Sequence, residues 1–158
     1  MKQKRISGYL LWIAVCLLVG AVSGLLSRQG MQIYQDTVIK PPLTPPAIVF
    51  PIVWTVLYTL MGISAARIWY SEPGPMRSKG LNLFIAQLVV NFFWSIIFFN
   101  LQAFELAFLW LLLLWGLVLW MILTFRKVDP VAALLQIPYL IWLTAAAYLS
   151  AGVWLLNG

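Results

Sequence analysis

Four aromatic residues are spaced so that a helix would bring them together in pairs. Trp54 and Tyr58 are four apart, and Tyr139 and Trp142 are three apart, with Ala146 continuing the second stripe. Indoles and phenols offer flat, polarizable faces on which a planar ligand can stack. A third stripe is polar. Gln87, Asn91 and Ser95 recur at i, i+4 and i+8 beside Trp94, which puts two amides and a hydroxyl on one face of an otherwise apolar run. Such groups either orient a ligand carbonyl or carboxylate or tie neighbouring helices together, and spacing alone fits both uses. Apolar walls with a few polar contacts suit a small-molecule pocket.

The residues that are missing narrow the chemistry. The chain has no histidine, which removes the commonest metal ligand, the usual general base and any His-ligated haem iron. Its single cysteine, Cys16, lies in an apolar run and can build neither a disulfide framework nor a thiolate metal cluster within one chain. No metal site and no required cofactor are therefore expected. No ionisable residue falls near the middle of an apolar run, which argues against acid–base hydrolysis and against proton-coupled transport.

The elements that must hold these stripes are set by composition. Hydrophobic residues make up 63% of the 158 positions and charged residues 9%, whereas a soluble domain carries about 25% charged side chains. Five runs are long enough to cross a bilayer, which takes roughly 20 apolar residues. They cover about 6–27, 46–69, 80–100, 106–125 and 131–156 and predict an all-α, single-domain bundle of five transmembrane helices occupying residues 1–158. Pro41, Pro42, Pro45 and Pro46 stiffen a long polar connection, 28–45, that is expected to be a lid loop. Thr44 is expected to cap the second span, with Pro45 in its first position. Pro51 and Pro138 should each bend their helices. Trp110, Trp115 and Trp120 share no helical face and read as packing or lipid-facing surface.

Charge gives the orientation. The formal charge is +6, but the ten Lys and Arg are scattered at span ends and form no stripe for nucleic acid. Eight of them, Lys2, Lys4, Arg5, Arg67, Arg77, Lys79, Arg126 and Lys127, fall on one side, and two, Arg28 and Lys40, on the other. This bias predicts an internal amino terminus and an external carboxyl terminus. Gly20 and Gly24 form a small-xxx-small pair that serves either packing within the bundle or pairing of two copies as a homodimer.

Longer strings of residues carry a resemblance. Tyr34, Lys40-Pro41, Pro45-Pro46, Phe50-Pro51, Val53-Trp54-Thr55, Leu57-Tyr58 and Met61-Gly62 resemble the second-span signature of the translocator protein, or tryptophan-rich sensory protein, family. Gln87, Asn91, Trp94-Ser95 and Phe98-Phe99 resemble its third span, and Pro138-Tyr139, Trp142 and Ala146 its fifth. The resemblance implies an integral protein, expected in a bacterial cell membrane. Its pocket, closed by the first loop, would bind porphyrins, haem included, and hydrophobic aromatic drug-like molecules such as isoquinoline carboxamides and benzodiazepines. Ligand-binding residues carried over or read beside it are Tyr34, Pro45, Trp54, Tyr58, Gln87, Asn91, Trp94, Ser95, Tyr139, Trp142 and Ala146. Light-dependent porphyrin breakdown, which the resemblance also implies, would draw on the indoles of Trp54 and Trp142. Transport of tetrapyrroles across the bilayer is the alternative use of such a pocket. The chain departs from the family at Ile33 and Leu43, where Trp is usual, and no basic residue follows Tyr148 to complete the cholesterol pattern of animal members.

Overall fold

A computed structural model describes residues 2–158, which form helices and no strands. The helices are α1 (Lys2–Leu26), α2 (Arg28–Thr37), α3 (Val49–Trp69), α4 (Pro75–Ser95), α5 (Phe104–Val128), α6 (Pro130–Leu135) and α7 (Ile137–Asn157). A π-helical turn, Ile96–Asn100, prolongs α4. Five stretches are long and apolar enough to cross a membrane: α1, α3, α4 with its π turn, α5, and α6 with α7.

Lipid is as apolar as leucine, so close packing and buried polar contacts hold such a bundle together more than water exclusion does. The sequence obeys that logic. Leu10, Leu11, Leu18 and Leu25 point outward from α1, while the interior collects Cys16, Met61, Ala65, Phe84, Met121 and Phe125, each fully buried. α1 lies on α3, and α5 is the hub that touches α4, α6 and α7. Gly62 makes the α1–α3 approach feasible, because a Cβ there would collide with the backbone of Ile13. The small pair on α1 divides in use. Gly20 leaves room for the Tyr58 ring, whereas Gly24 meets nothing within 4 Å.

The two ends of the bundle are fastened differently. At the basic end, Arg67 Nε donates to Asp129 Oδ2 at 2.7 Å, and Tyr70 Oη donates to the Lys4 carbonyl at 3.0 Å. Burial alone would raise the Asp129 carboxyl, but hydrogen bonds from Arg67 and from the Val131 amide hold it below the usual range. Asp129 thereby also caps α6, with Val131 N at 3.0 Å. At the other end the 38–42 segment is strapped to α7. Asn157 Oδ1 accepts from Ile39 N at 3.0 Å, and its Nδ2 donates to Ile39 O at 2.7 Å. Tyr148 Oη donates to Pro42 O at 2.8 Å, and Pro41 rests where a side chain on Gly152 would otherwise stand.

Several boundaries differ from expectation. Residues 28–37 are helical, so the lid is a helix followed by a proline strap rather than loop throughout. One face of this short helix, Gly30 and Tyr34, is buried against Phe98, Phe99 and Asn100, and that docking supplies what isolated propensity could not. Lys40 Nζ finishes α2 by donating to the carbonyls of Tyr34, Gln35 and Val38 at 3.1–3.2 Å. Thr44 does not cap α3. Its hydroxyl turns back to Pro41 O at 2.6 Å, and α3 starts at Val49, four residues later than a cap at Thr44 would begin it. The last span breaks at Gln136, two residues before Pro138, which cannot donate to the carbonyl four residues back.

Candidate functional site

The aromatic stripes meet under the lid. α3 supplies Trp54, α4 supplies Trp94, α7 supplies Trp142 and Ala146, and α2 lays Tyr34 across them, so five of the eleven sequence-predicted ligand residues line one cavity of about 340 Å³. Trp142 is crossed edge-on by Phe50 at 5.7 Å, and Trp94 stacks on Phe98 at 5.0 Å with 23° between the planes. Tyr34 is wedged against Phe98 and Phe99 at 5.5 and 5.3 Å, and Lys40 Nζ lies 4.8 Å from its ring centre on the outer side. Burial raises the Tyr34 phenol above its ordinary value, so it stays protonated at neutral pH.

Four other predicted residues come together behind the cavity instead of in it. Tyr58 Oη donates to Asn91 Oδ1, Asn91 Nδ2 donates to Tyr139 Oη, and Tyr139 Oη donates to Gln87 Oε1, each at 2.7 Å. All four side chains are buried, and none lines the cavity. The polar stripe of α4 thus ties α3, α4 and α7 together. Trp54 packs on this network, 5.5 Å from the ring of Tyr58 and 6.2 Å from that of Tyr139, so the network backs the cavity wall without lining the cavity. Ser95, last in α4, and Pro45, in the strap, stand apart from both groups.

The cavity also recruits residues that spacing did not single out. Arg28, Gln32 and Gln35 come from α2, Phe50 from the start of α3, Phe98 and Phe99 from the π turn, and Leu149 and Ser150 from α7. The i, i+4 relation of Ala146 to Ser150 was the available signal for the last of these. Three buried donors on this lining, Trp94 Nε1, Trp142 Nε1 and Ser150 Oγ, have no hydrogen-bond partner within the protein. A buried donor without a partner costs about 1–3 kcal/mol. Trp110, by contrast, is outside the cavity and donates to Val90 O at 2.7 Å. A wider, open depression of about 660 Å³ beside Phe104 and Trp154 contains none of the predicted residues.

Among the described residues, no three His, Cys, Asp or Glu side chains gather where a metal ion could be held. The cavity lining has neither imidazole nor thiolate to offer an iron atom. Its chemistry is therefore stacking and hydrogen-bond donation.

Comparison with known proteins agrees with this architecture. A profile described as the TspO/MBR family matches residues 12–155. The Tryptophan-rich protein TspO of Chlorobaculum tepidum is 34% identical over 98% of this chain and 99% of its own. The Tryptophan-rich sensory protein of Cereibacter sphaeroides is 32% identical over 94% and 90%. The Translocator protein of Ovis aries is 36% identical over 73% and 69%. With nearly the whole chain inside the profile and the five spans in place, this protein belongs to the TspO/MBR family.

Proposed function

We propose that this integral membrane protein binds porphyrins and smaller hydrophobic aromatic molecules beneath its lid helix and serves as a sensor of them. The observation that carries the reading is the cavity itself: three tryptophans converge on it, and two of their indole N–H groups are buried and unpaired. At about 340 Å³ it sits near the lower end of ligand-pocket sizes, enough for a fused aromatic system. A tetrapyrrole with its side arms is larger, so its entry requires α2 and the proline strap to move outward. Without imidazole or thiolate in the lining, stacking on the indoles carries more of the binding than iron ligation, for which only the Met31 thioether and the Tyr34 phenol are at hand.

The same geometry supports light-dependent breakdown. One-electron transfer from the indole of Trp54 or Trp142 to a photoexcited porphyrin would leave an indole radical cation and a porphyrin radical anion, and dissolved dioxygen would be the oxidant that opening of the ring then requires. Transport is the less supported use, because the cavity lining holds one charged residue, Arg28. Porphyrin titration followed by absorbance decay under light tests the proposal in Trp54→Phe, Trp142→Phe and Trp120→Phe. Trp120 serves as the control, since it is half exposed and lies outside the cavity. Each Phe keeps a smaller ring, so binding weakens by less than the roughly fivefold, on the order of 1 kcal/mol, that loss of a whole stacking face would cost, whereas loss of the indole slows the decay. Equal binding and equal decay in all three variants would reject the assignment.

A further inference from the structure

The charge of this protein is gathered at one end. Eight basic residues and two acidic ones, Glu72 and Asp129, stand at the start of α1 or where α3 leads into α4 and α5 into α6, whereas the other end has two of each, Arg28 and Lys40 with Asp36 and Glu105. The whole formal charge of +6 therefore falls on one side. Two of its cations are satisfied within the protein: Arg67 pairs with Asp129, and the Arg77 guanidinium donates twice to the Trp69 carbonyl, at 3.1 and 2.8 Å. Lys79 and Lys127 are exposed and form no ion pair among the described residues. The two share an edge. Gly80, beside Lys79, has no Cβ, and one placed there would stand 3.1 Å from the Phe125 ring, so the start of α4 lies tight against the end of α5. Lys79 Nζ rests 5.2 Å from the centre of the Trp120 ring, and Trp120, Leu123 and Lys127 share a face of α5 at i, i+3 and i+7. The indole and the leucine are about half exposed, at 50% and 51%, on a helix long and apolar enough to cross a membrane.

An exposed apolar strip that runs between two unpaired ammonium groups has a definite complement in a bilayer. Hydrocarbon covers the strip, and an anion answers the lysines, one of which otherwise has only a cation–π contact at the membrane edge. We infer that the α4–α5 edge is a binding site for an anionic phospholipid, its phosphate held by Lys79 and Lys127 and one acyl chain laid on Trp120 and Leu123. A zwitterionic lipid with the same chains fits less well, because the two lysines repel its own ammonium group. A free phosphate lacks the chain. Trp120 and both lysines lie outside the cavity beneath the lid, so this site and the aromatic one are separate.

The test uses the full chain, delipidated in neutral detergent, with native mass spectrometry counting bound lipids one at a time. Dioleoylphosphatidylglycerol and dioleoylphosphatidylcholine are compared, because they share their chains and differ in net charge. The first phosphatidylglycerol should bind at least about fivefold tighter than the first phosphatidylcholine. Lys79→Gln and Lys127→Gln should each weaken it about fivefold, as expected for one lysine near an anionic headgroup, and leave phosphatidylcholine within about twofold. Lys79→Arg should keep the preference. Lys4→Gln, which removes a charge from the same end but not from this edge, should change it by less than about twofold. Glycerophosphoglycerol, the headgroup without chains, should not displace the lipid. Equal affinity of wild type for the two lipids, or a loss in Lys4→Gln as large as in Lys79→Gln, overturns the inference, since the charge of the whole end would then act without a site. Displacement by glycerophosphoglycerol overturns it as well, because the edge would then be a site for phosphate alone.

Discussion

Replacing Asn157 by Ala should make the lid open more often and speed porphyrin entry. In the native protein the Asn157 amide holds both backbone groups of Ile39, at 3.0 and 2.7 Å, far from α2 in sequence but next to it in space. These bonds lie at the exposed end of the bundle, where water competes, so each is worth about 0.5 kcal/mol, the low end for a net hydrogen bond. Losing both shifts the opening equilibrium by about 1 kcal/mol, or about fivefold. Tyr148→Phe removes one further strap bond, to Pro42, and should add about another twofold when combined. The packing of Pro41 over Gly152 remains in both variants, so the lid stays native in form. Stopped-flow quenching at several porphyrin concentrations reads the association rate directly. Entry is gated by the strap if the rate rises about fivefold in the single variant and about tenfold in the double one. Wild-type rates in both variants would refute this gating, and would mean that porphyrin reaches the cavity from the lipid side.

Other consequences follow from the fastenings elsewhere. Asn91→Ala removes the centre of the Tyr58–Asn91–Tyr139–Gln87 chain and should lower stability by about 2 kcal/mol, seen as an earlier melt in detergent. An unchanged melting curve would show that the network contributes nothing net. The stability that Asp129 gains from Arg67 is present above the ordinary carboxylate pKa near 3.8 and is lost as pH falls through the depressed folded value. Asp129→Asn should keep the α6 cap and cost less than about 1 kcal/mol, and its melting should lose the acid-side dependence that wild type shows. The eight-to-two split of basic residues predicts that a carboxyl-terminal reporter is accessible outside sealed cells and an amino-terminal one is protected. The opposite protection pattern would reverse the orientation.

The spans and the aromatic stripes were legible in the sequence because both depend on short-range periodicity, which survives in any environment apolar enough to hold helices. The role of Gln87 and Asn91 was not, since spacing shows that polar groups share a face but not which neighbour they meet. Here they meet Tyr58 and Tyr139, two further residues read as ligand-binding. Helix α2 was hidden for a related reason. Its sequence, RQGMQIYQDT, has no long apolar pattern, and its order comes from Gly30 and Tyr34 docking on residues about 65 positions away. Arg28 was hidden because it reaches the cavity only through the docking of α2.

The π turn at the end of α4 carries a consequence for how this pocket can vary. A π turn holds one residue more than an α turn, and here that surplus lies between Trp94, on the cavity, and Asn100, whose Nδ2 grips Leu26 O at 2.8 Å. Phe98 and Phe99 are adjacent in the chain yet both reach Tyr34. Deleting a single residue from 96–100 would let the turn close to ordinary α geometry with the chain beyond it near its present register, because a wide π turn and an α turn each complete about one revolution. Side chains on the rest of α4 would keep their places, but Phe98 and Phe99 would no longer share the wide turn from which both reach Tyr34. Length, as well as residue type, is therefore a constraint on this segment: the surplus residue widens the turn that clamps the lid.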